Sequence, residues 1–228
     1  MAGQVKKLST EVAAQLRNEI IAGELESGSP LRLASVARRL GVSETPVREA
    51  LIVLEGEGLV AGHLHRGFVV KRLSASDFED AYALHAFVAA RLTSAAVDNL
   101  NNREIAELAE IDRELVVCNR SGEKDRAGDL NHEFHRRIYL ASGHSLLLRF
   151  LRETTPLVNR RYDPDVPGWA DIRHDGHADI VSALLDRDAE RAGTLMRDHI
   201  LHAGELAVSL EARRGAGEAD GHARASSA

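Results

Sequence analysis

The stretch that decides the fold of the first part of the chain runs from Leu40 to Val60 and reads LGVSETPVREALIVLEGEGLV. Gly41 permits a tight turn at its start. Ser43 suits the N-cap of a helix, and Pro46 falls in the first helical turn, where its missing N–H costs little. The stretch therefore predicts a helix from about residue 43 to residue 57.

The two sides of this helix differ in character. Thr45, Arg48 and Ile52 lie toward one side. The other side carries an apolar stripe that consists of Val47, Ala50, Leu51 and Leu54. Because residues three or four apart share a helix face, one face is expected to pack against a core and the other to be free for a partner.

Two further helices are predicted before this one. Apolar residues recur at helical spacing over residues 8–22, and Gly23 ends that helix. A short second helix is predicted over residues 33–40. The segment between them, residues 23–30, is rich in helix breakers and is interpreted as a turn.

Two short strands follow the third helix. Alternating apolar runs at residues 59–61 and 67–70 are joined by residues 62–66, which is the pattern of a β-wing. Three helices followed by a hairpin predict a winged helix-turn-helix, in which the third helix enters the major groove of DNA.

The rest of the chain is expected to be helical. Six helical segments with short connections favour an antiparallel bundle, and their predicted limits are 75–98, 101–120, 125–142, 144–161, 168–187 and 188–212. The predicted fold class is thus mainly α: a winged helix-turn-helix followed by an all-α bundle. The predicted domain limits are 1–72 for the DNA-binding domain, 73–78 for a linker, 79–212 for the bundle and 213–228 for a disordered tail.

Composition supports this division. The 228 residues carry a net charge of −6, but residues 1–72 hold ten Lys and Arg against eight Asp and Glu, whereas the remainder holds 19 against 27. The weak positive charge therefore lies at the end that is expected to bind DNA. Cys118 is the only cysteine, and the chain shows neither a long apolar run nor a signal peptide, so a cytoplasmic protein without a membrane span is expected.

The histidines of the second part are the main candidates for chemistry. Three His-x-x-His pairs occur there: His132/His135, His174/His177 and His199/His202. Each pair offers one imidazole to the interior of a bundle, where several helices can converge on one metal ion. Spacing alone leaves open which member of each pair points inward.

The first part of the chain resembles the GntR superfamily of bacterial regulators. The resemblance rests on the segments Leu40–Leu51 and Leu54–Val60 and on Arg66-Gly67, and it covers about residues 8–72. Arginine is common in the family where this chain has Ala34 and Glu44, so the operator sequence is expected to differ.

Physical chemistry assigns roles to the residues expected to meet DNA. The hydroxyls of Ser43 and Thr45 can bind phosphate, Arg48 can reach a guanine edge, and Glu44 can accept from cytosine N4. The alternative for Arg48 is a surface ion pair with Glu44, four residues earlier. Arg66 at the tip of the wing is expected to enter the minor groove. The residues expected to contact DNA are Arg32, Arg38, Ser43, Glu44, Thr45, Arg48 and Arg66.

The second part resembles the FCD effector domain of the FadR-like GntR subfamily, in its six-helix, VanR-like type. The motifs are Asn131-His132-Glu133-Phe134-His135, Ala141-Ser142-Gly143-His144, His177-x-x-Ile180 and Met196-x-x-His199, within about residues 75–210. In that domain an Asp or Asn and three histidines bind a divalent metal. The resemblance therefore implies a site made of Asn131, His135, His177 and His199.

Asn131 makes this expected site neutral, because an amide replaces the carboxylate of many relatives. Zinc is the expected ion, with nickel or another divalent transition metal as alternatives, and a small carboxylate is expected to complete its coordination. Many relatives carry an effector-binding arginine where this chain has His85, and Arg160 and Arg161 are the candidates to compensate. Four aromatic residues are instead interpreted as core: Tyr82, Phe87, Phe134 and Tyr139.

The sequence thus predicts a homodimeric transcriptional repressor, not an enzyme, with a small organic-acid effector. Dimerisation and repression are implied by the resemblance. Two alternatives stay open: a regulator whose signal is the metal ion itself, and a metal-dependent hydrolase. The effector is expected to shift the population between dimer conformations through residues 71–77.

Overall fold

The computed structural model describes residues 2–21, 23–63, 67–71, 74–158 and 176–225. The chain divides into two compact units, Met1–Leu73 and Ser74–Ala228. The described residues are mostly helical and carry one small antiparallel sheet, so the predicted fold class is confirmed. None of the described helices is both long enough and apolar enough to cross a bilayer.

The first unit consists of three helices and a three-stranded sheet. Its elements are α1 (Ala2–Ile21), β1 (Pro30–Leu31), α2 (Leu33–Leu40), α3 (Glu44–Gly56), β2 (Val60–His63) and β3 (Gly67–Val70). The sheet order is β1-β3-β2, with both pairs antiparallel. The unit is therefore a winged helix-turn-helix.

Strand β1 was not predicted. Pro30 pairs with Val69 and Leu31 with Phe68, where the sequence indicated only the end of a turn. A strand of two residues is too short for an alternating pattern, and proline is tolerated there because it is the first residue of an edge strand. The pairing is set by the position of β3, which local sequence does not encode.

Helix α3 is held on one side and open on the other. Ser43 occupies its N-cap position in extended conformation, although its side chain makes no capping hydrogen bond. The predicted apolar stripe lies fully in the core, and Thr45, Arg48 and Ile52 are exposed, which confirms both faces. Arg17 of α1 binds the Glu57 carboxylate at the end of α3 through two hydrogen bonds of 2.7 and 2.5 Å.

The second unit is built of helices alone within the described residues. They are α4 (Ala75–Ala96), α5 (Asn102–Ser121), α6 (Lys124–Ala141), α7 (Ser145–Val158), α8 (His177–Leu185) and α9 (Ala189–Ala225). Their inward faces form one continuous apolar core with large fully buried side chains such as Phe134, Leu92 and Ile180. Tyr82, Phe134 and Tyr139 are buried as predicted, whereas Phe87 is 63% exposed and the prediction for it was wrong.

Two boundaries differ from the prediction. Most of the expected linker 73–78 is helix, because Ser74 and Asp77 form a capping box in which the Asp77 carboxylate accepts from the Ser74 N–H at 2.7 Å. At the other end, α9 continues through residues 213–225, where a disordered tail was expected. Adding residues to an existing helix costs less than starting a new one.

Candidate metal centre and DNA-reading helix

Three histidines from three helices meet inside the second unit. They are His135 of α6, His177 at the first position of α8 and His199 of α9, which are 9%, 0% and 9% exposed. The Nε2 atom of His135 lies 3.4 Å from Nε2 of His177 and 3.3 Å from Nε2 of His199. One ring nitrogen from each histidine lies within 4.8 Å of the other two.

These separations fit ligands of one ion. Two bonds of about 2.0–2.1 Å from zinc to imidazole nitrogen, at a tetrahedral angle, place the nitrogens about 3.3–3.4 Å apart. The described part of the chain contains no second group of three or more His, Cys, Asp or Glu residues with ligand atoms so close together. The donor set of neutral imidazoles suits a transition metal.

The outer ring nitrogens of two of these histidines are engaged by neighbours. The Nδ1–H of His177 donates to the Asp112 carboxylate of α5 at 3.2 Å. Nδ1 of His135 lies 3.3 Å from the Tyr139 hydroxyl, which also lies 3.5 Å from the Met196 sulfur. The contact with Asp112 places the proton of His177 on Nδ1 and leaves its Nε2 lone pair directed at Nε2 of His135.

Burial keeps His135 of this cluster uncharged at neutral pH. Desolvation, followed by the proximity of His177 and His199, lowers the pKa of His135 well below its usual value. A neutral imidazole is the form that binds a metal, so the pocket holds its ligand in the competent protonation state.

Asn131 lies one helical turn before His135 on the same face of α6. Its Oδ1 atom is buried and has no hydrogen-bond partner in the described part of the chain. A buried acceptor without a partner is costly and uncommon in native proteins, so a ligand that the protein chain does not supply is the natural partner for it.

Within the described part of the chain, no other histidine joins this cluster, and neither does Glu133. His132 and His202 are exposed, His144 immediately precedes α7, and His174 lies outside the described residues. Glu133 is bound by Arg136 at 2.9 Å and Arg137 at 2.8 Å, which holds the pKa of its carboxyl below its usual value. The Glu133 carboxylate therefore forms ion pairs with these two arginines and does not lie beside the three histidines as a base.

The predicted effector contact His85 lies in the core of α4. Its Nδ1 atom is 2.8 Å from the Thr154 hydroxyl of α7, and its ring meets the Tyr139 ring edge-on with centroids 6.5 Å apart. Burial lowers the pKa of His85 to about 4, so it is neutral at physiological pH and offers hydrogen bonds, not charge. Arg160 and Arg161 lie outside the described residues.

Sequence reasoning missed Asp112 and Thr154. Each acts on a histidine more than sixty residues away, so no local spacing marks it. Tyr139 was assigned to the core, which is correct, but its contact with His135 depends on the same tertiary arrangement. The i, i+4 spacing of His135 and Tyr139 on one helix was the one signal that could have indicated it.

The first unit presents the residues expected to meet DNA. Ser43, Glu44, Thr45 and Arg48 are exposed at the start of α3, and Arg32 and Arg38 are exposed on or beside α2. Among the described residues Arg48 forms no ion pair with Glu44 or any other carboxylate, so its guanidinium is available. Arg66 of the wing tip lies outside the described residues.

Comparison with known proteins agrees with both units. Residues 8–70 match the family model "Bacterial regulatory proteins, gntR family", and residues 80–202 match the FCD domain model. The chain is 30% identical over 196 residues to the HTH-type transcriptional repressor GlaR of Escherichia coli, covering 82% of this chain and 89% of that protein. It is also 30% identical to the Nta operon transcriptional regulator of Aminobacter aminovorans, with coverage of 76% and 81%.

A solved structure shows the same fold. The E. coli McbR/YncC structure matches with a TM-score of 0.70 at 20% identity, covering 91% of this chain and 98% of that one. The resemblance to the GntR superfamily and its FCD-containing, FadR-like branch is confirmed. The chain therefore belongs to the GntR family of bacterial transcriptional regulators, with a winged helix-turn-helix in its first unit and an FCD domain in its second.

Proposed function

We propose that the protein is a homodimeric, DNA-binding repressor that senses a small organic acid at a divalent metal held by Asn131, His135, His177 and His199. The observation that carries this proposal is the convergence of three buried Nε2 atoms at the separation of ligands on one ion. Asp112 and Tyr139 support it, because they orient two of the rings.

The ligand set determines the chemistry of the site. Three imidazoles and one amide oxygen are all neutral, so a divalent ion there retains its full charge and attracts anions. Oδ1 of Asn131 is buried on the same helix face as His135 and lacks a partner among the described residues, which supports its role as fourth ligand. Zinc is the proposed ion, with nickel or another divalent transition metal as the alternative.

The effector is proposed to bind the ion through its carboxylate. His85 stays neutral and cannot form an ion pair with an acid at physiological pH, so charge recognition belongs to the metal. Arg160 and Arg161 remain proposed additional contacts.

Repression is proposed from the relatives. One is named a transcriptional repressor, and another, 28% identical, a probable D-xylose utilization operon transcriptional repressor. The exposed face of α3 is proposed to read the operator, and two chains to read its two half-sites.

Operator binding measured with and without metal tests this function. DNA selected by the protein from a random pool would be titrated by fluorescence anisotropy, with zinc or chelator, against a panel of two- to six-carbon carboxylates. We expect at least one acid to change operator affinity about tenfold, a usual allosteric coupling, and only with zinc. His199→Ala should still bind DNA but lose this response.

The outcomes separate the alternatives. If zinc alone changed operator affinity to the same extent with no acid present, the metal ion itself would be the signal. Operator affinity that depends on neither zinc nor any acid would contradict the sensing proposal, and failure to select any DNA sequence would contradict the regulator.

A further inference from the structure

Helix α4 has an outward face that the rest of its unit leaves uncovered. Leu84 is 51% and Phe87 63% exposed on this face. Helix α7 runs antiparallel beside α4, since His85 meets Thr154 while Tyr82 meets Val158, and it exposes Leu146 and Phe150. Four of the ten large exposed apolar side chains among the described residues thus lie on two adjoining helices, as at interaction sites.

The exposed residues of α4 form a narrow stripe. Asp80, Leu84, Phe87 and Arg91 follow one another at spacings of four, three and four, which places them within an arc of about 60° on the helix. We call these four residues the α4 stripe. Its centre is apolar and its two ends carry opposite charges. Within the described part of the chain, the side chains of Asp80 and Arg91 have no hydrogen-bond or ion-pair partner.

The α4 stripe is complementary to the same stripe of a second chain when the two helices are antiparallel. If a second copy of α4 lies antiparallel against the first, with a twofold axis between Leu84 and Phe87, then Leu84 faces the partner subunit's Phe87. In the same register Asp80 faces the partner subunit's Arg91, and the reciprocal pair forms at the other end. A twofold interface requires such self-complementarity, because the same patch serves both subunits.

We propose that two copies of this chain dimerise through the α4 stripe, flanked by Leu146 and Phe150 of α7. This inference rests on the homodimer of the proposed function and names its contact surface. The opposite face of α4 carries buried His85 next to Tyr139, which binds His135. One helix therefore presents the subunit interface on one face and the neighbourhood of the metal centre on the other, so a change at the centre has a short path to the dimer.

Charge reversal with subunit mixing tests the register. Asp80→Arg places two arginines opposite each other at both ends of the interface, and Arg91→Asp places two aspartates there. We expect each single variant to weaken the dimer about tenfold or more, as like charges do at interfaces, when sedimentation velocity is measured over a dilution series. The double variant D80R/R91D should restore it.

An equimolar mixture of the two single variants is the sharper test. In a heterodimer of D80R with R91D, both facing pairs are again arginine against aspartate, so mixing should restore dimerisation. A change that merely perturbed the fold of α4 would not be rescued by a second perturbed chain.

The apolar centre has a matched control. Phe87→Glu should weaken the dimer about tenfold or more, since it places a charge at the centre of the interface. Val117→Glu on α5, at a site 61% exposed, should leave the dimer unchanged. A wild-type chain that is monomeric throughout would contradict the homodimer itself. A dimeric wild type whose Kd is unaltered by Phe87→Glu, or single charge variants not rescued by mixing, would overturn only this interface.

Discussion

Asn131 is the proposed fourth ligand of the metal, at a position where a carboxylate would instead give the ion an anionic ligand. Its amide oxygen is buried and unpartnered within the described residues, and it shares a helix face with His135. Ligand charge and type are the variables with which proteins set metal affinity. The neutral amide is thus expected to hold the ion more weakly than an aspartate would.

Asn131→Asp should therefore bind zinc more tightly. We expect a gain of about tenfold or more, because one added charge on a ligand strengthens its interaction with a divalent cation in a site of low dielectric constant. Titration of metal-free protein against a competing chelator measures it. His202→Ala, which removes an exposed histidine from the same helix as His199, is the control and should leave zinc affinity unchanged. Zinc binding equal to wild type in Asn131→Ala would exclude Asn131 as a ligand.

His85 gives the metal-free protein a defined acid sensitivity. Its pKa is lowered to about 4 in the folded state, against about 6.5 when unfolded. Below pH 6.5 the His85 imidazole becomes protonated in the unfolded chain but stays neutral in the folded chain. Its contribution to the free energy of unfolding is therefore fully present above pH 6.5 and is lost as the pH falls toward 4. The loss amounts to about 3 kcal/mol at most.

His85→Phe should remove this part of the pH dependence. Thr154 keeps a partner in the variant, because its hydroxyl also donates to the Leu151 carbonyl at 3.0 Å. Urea unfolding of both proteins without metal, at several values between pH 7 and pH 4, measures the difference. The wild type should lose more stability than the variant over this range. Parallel curves would show that His85 is not held neutral.

At the scale of elements, α3 is the helix that we propose reads the operator sequence. Arg48 is exposed and unpaired within the described residues. Arg48→Ala should weaken binding to the selected operator by about 1–3 kcal/mol, the usual value of a bidentate arginine–guanine contact. Anisotropy titrations at fixed salt measure this. Arg120→Ala on α5, also an exposed arginine, is the control, and an equal loss in both variants would remove Arg48 from the reading set.

Helices α4 and α9 approach so closely that a glycine is required between them. A Cβ atom added at Gly204 would lie 2.8 Å from Cγ of the Tyr82 ring, whose hydroxyl is fixed to the Val158 carbonyl at 3.0 Å. Gly204→Ala should therefore lower stability by about 1–3 kcal/mol through overpacking. Thermal unfolding measures it. Gly56→Ala at the end of α3, where a Cβ meets nothing within 4 Å, is the matched control and should not destabilise the protein. Equal stability of the two variants would contradict this packing.

The helices show which features local sequence encodes. The buried face of α3 and the helices that carry His135 and His199 were predicted because apolar periodicity and histidine spacing are local signals. Phe87 was assigned to the core because aromatic residues are usually buried there, whereas its helix turns it outward and leaves it 63% exposed. Strand β1 and the Asp112–His177 contact depend on partners distant in sequence, so spacing could not reveal them.

At the scale of the whole molecule, the two proposed functions lie in separate compact units of one chain. The first carries α3, the proposed DNA-reading helix, and the second encloses the three histidines. Helix α4 begins directly after the boundary and carries both His85 and the α4 stripe. Coupling between ligand and operator must be reciprocal, so an acid that weakens operator binding must itself bind more weakly to the operator complex.

X-ray absorption at the zinc edge of zinc-loaded protein tests the central claim, the convergence of Asn131, His135, His177 and His199 on one ion. The account predicts three imidazole nitrogens and oxygen at about 2.0–2.1 Å from zinc, with loss of this pattern in His199→Ala. A spectrum with sulfur from Cys118, or with fewer than three imidazoles in the wild type, would contradict it.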